Sequence, residues 1–238
     1  MWERTVDGRV LNFRLAGINN QNFIMQDRET GTWWQQVSGE AILGELKGKQ
    51  LTRLFHDELT FSEWTREVPG GRVLKPAADT AWKHFSEGWE EHTARAPVNV
   101  HMTLDDRLPA RAVVFGIDLG GSAKAYPQDR VVAQAPLHDR LGGVPLVLLL
   151  GPDGKSVRAF EARLDTAALE LVRPIDQASG EVVDAGTGSR WNFTGVAVAG
   201  PLKGRRLKPV YLLKDYWFDW MTYHPGTAVY LLGAGRRE

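Results

Sequence analysis

Apolar residues recur along Arg9 to Leu15 at Val10, Leu11, Phe13 and Leu15, a near-alternation that predicts a strand. Asn22 to Gln26 predicts a second strand, and Thr32 to Val37 its hairpin return. Between them Asp27-Arg28-Glu29-Thr30-Gly31 is turn chemistry: an Asp can bond its own backbone and a Gly supplies positive φ. Further along, Ala112 to Ile117 and Ala123 to Tyr126 flank a turn at Leu119-Gly120-Gly121. Val144 to Leu150 and Val157 to Phe160 read as a hairpin across Gly151-Pro152-Asp153-Gly154. The period changes at Ala78, Ala81, Trp82, Phe85 and Trp89, which share one helical face. Glu63-Trp64 and Asp219-Trp220 fall in short helices, started near Thr60 and Asp215 and ended by Pro69 and Pro225. The pattern as a whole predicts an α+β chain, strand-dominated, with short helices.

The same pattern occurs twice. Gly39 to Leu51, GEAILGELKGKQL, matches Gly195 to Leu207, GVAVAGPLKGRRL, at an offset of 156. Trp64 then falls on Trp220 and Pro69 on Pro225 at that offset. Gly31 falls on Gly188 and Trp34 on Trp191 at 157, and Asp7 falls on Asp165 at 158. Two single-residue adjustments are what loop insertions in a duplicated unit would give. Residues 31–74 and 188–230 are therefore expected to share one strand–turn–helix order, with Trp34, Trp191, Trp64 and Trp220 buried. Nothing upstream of Met1 matches Ala112 to Ala159, so the first copy is expected to be incomplete. The division that follows is a partial repeat over 1–75, a connecting segment with an amphipathic helix over 76–110, and a second repeat over 111–238. Missing strands leave a sheet edge, which invites a homo-oligomer or a sheet shared with another chain.

Composition narrows the function classes. The 29 Lys and Arg balance 29 Asp and Glu, which disfavours a nucleic-acid binder or a basic membrane-surface protein. Without cysteine there is no thiolate catalysis, disulfide or Cys-ligated metal. The apolar run Val144 to Leu150 is far shorter than the roughly 20 residues a helical span needs, so no membrane insertion is expected. Met1-Trp2-Glu3-Arg4 does not open a signal peptide, which leaves a cytoplasmic location by default; either the start is truncated or the missing strands come from another part of the protein or another subunit.

Several motifs reduce to local structure. Gly154-Lys155-Ser156 resembles the end of a phosphate loop, but Leu149 stands where its first Gly is required. His84, Glu87 and Glu91 read as a solvated helix face, so no metal and no cofactor is expected. The basic cluster Lys203, Arg205, Arg206 and Lys208 recurs as Lys47 and Lys49, a property of a repeated exposed turn.

The candidate chemistry lies where the copies differ. Gln36 and Glu40 face Phe193 and Val196, and the polar run Asn19 to Asn22 has no counterpart of equal density. With Trp34 two positions before Gln36, strand alternation would set an amide beside an aromatic wall. Asn22, Trp34, Gln36 and Glu40 thus form a candidate site for a small polar ligand. A small-ligand-binding or interaction domain is the leading expectation. The alternative is a hydrolase using Asp27 and Glu40 as carboxylate acid and base.

The run Asp27 to Ala41, followed by Gly44, Leu46, Gly48 and Leu51, resembles the core signature of a prokaryotic family, domain-of-unknown-function family 3179. So do Asp105-Asp106-Arg107-Leu108-Pro109, Ala125-Tyr126-Pro127 and Tyr223-His224-Pro225. Members carry cysteines in the hairpin equivalent to Leu150 to Ser156, where this chain has none. The resemblance implies no particular activity.

Overall fold

The computed structural model describes residues 1–74, 87–101, 103–174 and 180–231. Among them four short helices occur: α1 (Phe61–Glu67), α2 (Trp89–Arg95), α3 (Gln128–Gln134) and α4 (Trp217–Tyr223). The remaining regular structure is strand, so the chain is a β-rich member of the α+β class. It divides into two compact units that are each discontinuous in sequence. Unit 1 holds Met1–His56, Pro97–Arg111 and Tyr216–Gly226, and unit 2 holds the rest.

Unit 1 opens with the ribbon β1 (Thr5–Val6) and β2 (Arg9–Val10). An antiparallel sheet follows in the order β3 (Phe13–Asn19), β4 (Asn22–Asp27), β5 (Trp33–Gln35), β6 (Ala41–Leu43). The single strand expected over Arg9 to Leu15 is broken at Leu11 and Asn12. Leu11 drops fully into the core, and Asn12 is captured by Glu29, whose carboxylate accepts its backbone N–H at 2.8 Å and its amide at 2.7 Å. The core beneath this sheet is Val6, Leu11, Trp34, Ala41, Leu46 and Leu51. Phe13 meets Trp34 edge-to-face, ring centroids 5.9 Å apart.

The described residues of unit 2 form three four-stranded sheets and a ribbon. The first runs β18 (Pro209–Val210), β11 (Val157–Glu161), β10 (Val144–Leu150), β9 (Leu137–Leu141). The second runs β19 (Leu213–Tyr216), β7 (Val113–Leu119), β8 (Ser122–Pro127), β20 (Ala228–Val229), with β20 parallel to β8. The third runs β14 (Leu171–Val172), β15 (Val182–Asp184), β16 (Arg190–Trp191), β17 (Ala197–Ala199). The ribbon pairs β12 (Arg163–Leu164) with β13 (Ala167–Ala168). β10 is apolar on both faces because two cores use it. Leu146 and Leu148 enter one with Phe115, Ile117 and Tyr126, while Val147 and Leu149 enter the other with Phe160 and Trp191.

The segments that match in sequence make the same backbone bonds. Asp27 N–H donates to Thr32 and Asp184 N–H to Ser189; Ala41 donates to Lys49 and Ala197 to Arg205; Leu51 donates to Gly39 and Leu207 to Gly195. A register shift occurs at Trp33/Trp34 and again at Arg190/Trp191. Helices α1 and α4 start 156 positions apart and have equal length. Their unit membership is exchanged relative to the preceding strands: α1 belongs to unit 2 and α4 to unit 1. Trp34, Trp191 and Trp220 are buried, whereas Trp64 is only half-buried. The amphipathic face from Ala78 to Phe85 lies outside the described residues; Trp89 opens α2 and is exposed.

Candidate functional site

Of the expected site residues, Trp34 and Asn22 are buried, whereas Gln36 and Glu40 are exposed. Trp34 is fully buried, and its indole N–H donates to Asp27 Oδ2 at 2.8 Å. Gln36 is exposed and lies beyond the end of β5, in a turn, so strand alternation does not carry it onto Trp34's face. Its backbone carbonyl accepts the Trp2 indole N–H at 2.7 Å. Glu40 is exposed too, and its backbone N–H donates to Ser38 Oγ. Asn22 is buried, and its amide donates to Asp219 of α4.

The buried amide of this region is the neighbouring residue, Gln35. It donates to Tyr223 Oη at 3.2 Å, and that hydroxyl donates onward to the Asn19 carbonyl at 3.4 Å. Asn22 and Gln35 therefore anchor α4 on unit 1, a role fit for buried amides that need partners. The rest of the polar run does similar work. Asn20 and Gln21 both have positive φ, the backbone a two-residue hairpin turn requires. Their side-chain oxygens accept the backbone N–H groups of His101 and Asn99, each at 3.2 Å.

Asp27 is also committed. It accepts the Thr30 backbone N–H at 2.6 Å, the Thr30 hydroxyl at 2.9 Å and the Trp34 indole. Burial pushes its pKa up, but these donors outweigh burial and hold it below the ordinary value. A carboxylate with its oxygens filled by structural donors is poorly suited to general-base work. In unit 2, Asp153 plays the same part. It accepts from the Lys155 and Ser156 backbone N–H groups and from the Ser156 and Thr60 hydroxyls. The donors that a phosphate loop would offer are thus already taken.

What unit 1 presents instead is an apolar surface. In β3, Leu15 pairs with Met25, Gly17 with Ile24 and Ile18 with Phe23, so Ala16 is an extra residue. Without that bulge, residues 15 and 18 would point to opposite faces of the sheet. With it, Leu15 and Ile18 share the face of Met25, Phe23 and Trp34. One end of the face is sealed by the core. At the other end Leu15 is 58% exposed, Ile18 66% and Phe23 47%. β3 is also the terminal strand of its sheet and runs for seven residues. Its counterpart in unit 2, β14, is only two residues long and is followed by Arg173 and Pro174. Proline has no N–H to offer a further strand, and short edges resist pairing. Sequence periodicity missed this surface because a bulge leaves no signature in alternation.

No helix among the described residues is long and apolar enough to cross a membrane, and among them no group of three or more His, Cys, Asp or Glu is arranged to hold a metal. In comparison with known proteins, a family model described as a protein of unknown function, DUF3179, matches residues 1–227. No curated protein and no solved structure matches the chain.

Proposed function

The chain belongs to the DUF3179 family, and from that premise we propose a non-catalytic association module that binds a second copy of itself through the β3–β4 hairpin. The observation that carries the reading is the bulge at Ala16, which gathers Leu15, Ile18 and Phe23 on one exposed face. Contiguous exposed apolar residues mark association surfaces more often than free surface. The choice of a second copy follows from charge. The chain has no formal net charge, so two copies approach without net repulsion, and the exposed end of the face, Leu15, Ile18 and Phe23, is uncharged. A two-fold interface then buries the same patch on both partners. The hydrolase alternative has less support, since Asp27 is 1% exposed and saturated with donors. We read the shared hydrogen-bond pattern of the two segments as the mark of an internal duplication, in which the first segment kept a long sheet edge and the second lost it.

Light scattering on a size-exclusion column tests the reading. The native chain should elute as a dimer at micromolar concentration, and Ile18→Lys should elute as a monomer with its thermal unfolding unchanged. A native monomer at every concentration, or an Ile18→Lys dimer, refutes it.

A further inference from the structure

Unit 2 holds a shallow, solvent-open cavity of about 330 Å³ whose lining includes Pro136, His138, Glu170, Val172 and Arg173. A smaller one of about 160 Å³ shares Ala135, Pro136 and Arg173 with it and extends to Leu150 and Glu181. One wall is the chain between α3 and β9; the other is β14. The walls are tied together by His138, whose Nε2 lies 3.2 Å from the Leu171 backbone nitrogen and 2.9 Å from its carbonyl oxygen.

Two opposite charges line this space without neutralising each other. Glu170 uses its backbone N–H on Asp184 at 3.2 Å, but its carboxylate has no partner among the described residues. The Arg173 guanidinium has none there either. Elsewhere in unit 2, surface arginines near acids are paired: Arg163 with Glu161, Arg190 with Glu181, Arg205 with Asp165. The remaining lining is small and apolar, from Ala133, Ala135, Pro136 and Val172. The volume is at the lower end of the range for ligand sites. An unpaired guanidinium suits a carboxylate, which it can grip through two parallel hydrogen bonds, and an unpaired carboxylate suits an ammonium.

We propose that this cavity binds a small zwitterion of the amino-acid class with a short aliphatic side chain. Arg173 takes its carboxylate, Glu170 its ammonium, and Pro136 with Val172 its side chain. The matching positions of the first segment, 158 earlier, are Asn12 and Leu15. The local backbone is kept there: Arg28 N–H donates to the Asn12 carbonyl as Ala185 N–H donates to that of Glu170. The charges are therefore not needed for folding. The proposal does not depend on the association reading, since β3 and the cavity lie in different units.

The test is calorimetric titration of the native chain with L-valine, L-valinamide and N-acetyl-L-valine. L-valine should bind, and either blocked derivative should bind about tenfold more weakly or worse, as expected for losing one charged hydrogen-bonding contact. Glu170→Asn and Arg173→Leu, which copy the first segment, should each weaken L-valine by a similar factor and leave the thermal unfolding temperature in place. No binding of L-valine to the native chain overturns the proposal, as does equal binding of all three compounds or undiminished binding to both variants.

Discussion

The indole N–H of Trp34 donates to the carboxylate of Asp27, while that of Trp191, at the matching position, is buried with no acceptor among the described residues. The two rings are otherwise alike: both fully buried, both opposite an alanine, Ala41 or Ala197. Asp184 stands where Asp27 does, but it accepts the backbone N–H groups of Glu170 and Thr187 and the Thr187 hydroxyl instead. Changing either Trp to Phe removes the same volume, so the difference between them isolates the hydrogen bond. Trp34→Phe should cost about 1–3 kcal/mol more than Trp191→Phe, because it strips a donor from a buried carboxylate whereas the other relieves an unmet N–H. Urea unfolding of the two variants measures this; equal losses would remove the argument.

A second pair of substitutions separates backbone strain from steric overlap. Gly200 and Gly204 have φ of +88° and +86°, a region L-residues avoid at about 1–2 kcal/mol. A Cβ on Gly204 would meet open space, whereas one on Gly200 would lie 2.6 Å from the Ser189 Cα. Gly204→Ala should therefore lower stability by the strain alone. Gly200→Ala should cost clearly more, because Ser189 cannot retreat without breaking the bond its hydroxyl accepts from Leu202 N–H at 3.0 Å. Comparable thermal shifts in the two variants would contradict the close approach.

Acid should act through Asp153. Burial pushes its pKa up, but four hydrogen bonds from Ser156, Thr60 and Lys155 outweigh this and bring it down to about 2, from an ordinary 3.8. A carboxyl with a depressed folded pKa adds stability that is complete above the unfolded value and is lost as pH falls through the folded one. The contribution should thus disappear between about 3.8 and about 2. Asp153→Asn should be less stable than the native chain at neutral pH, with the gap narrowing across this window. A gap that stays constant with pH would show that the carboxylate's charge is irrelevant.

The attachment of α4 rests on buried amides. Asn22→Ala leaves Asp219 without the amide donor it has in the native chain, and should cost about 1–3 kcal/mol. Amide hydrogen exchange should quicken in α4 while β7 and β8 keep their protection. Uniform acceleration across the chain would mean that α4 is not separately held.

Local chemistry made much of unit 1 legible from sequence. The Asp27-to-Gly31 turn and its strands can be read because the bonds that close the turn, Thr30 to Asp27 and Gln26 to Gly31, span five residues or fewer. Helix α1 was legible through Thr60, whose hydroxyl accepts Glu63 N–H at 3.2 Å. Helix α3 was not, since Pro127 precedes it with no side-chain cap and only Val131 is buried. The buried amide beside Trp34 was not legible for a similar reason. Alternation from Trp34 points to Gln36, but β5 stops at Gln35, and the buried amide is defined by Tyr223, 188 positions away. The cavity was equally invisible, because Glu170 and Arg173 gain meaning only once Pro136 and His138 are brought to them.

That 197 positions separate Asn22 from Asp219 shapes how the protein is made. The hairpin β3–β4 leaves the ribosome early, while α4 emerges roughly 10–40 seconds later at usual elongation rates. Throughout that interval Asn22 and Gln35 have no helix to bond, and unit 1 cannot close. Unit 2, with α1 from the early part of the chain, completes most of its strands first. The amino-terminal unit thus waits for a helix translated after nearly everything else. A ribosome stalled before Tyr216 would hold both units unfinished, the first without α4 and the second without β20.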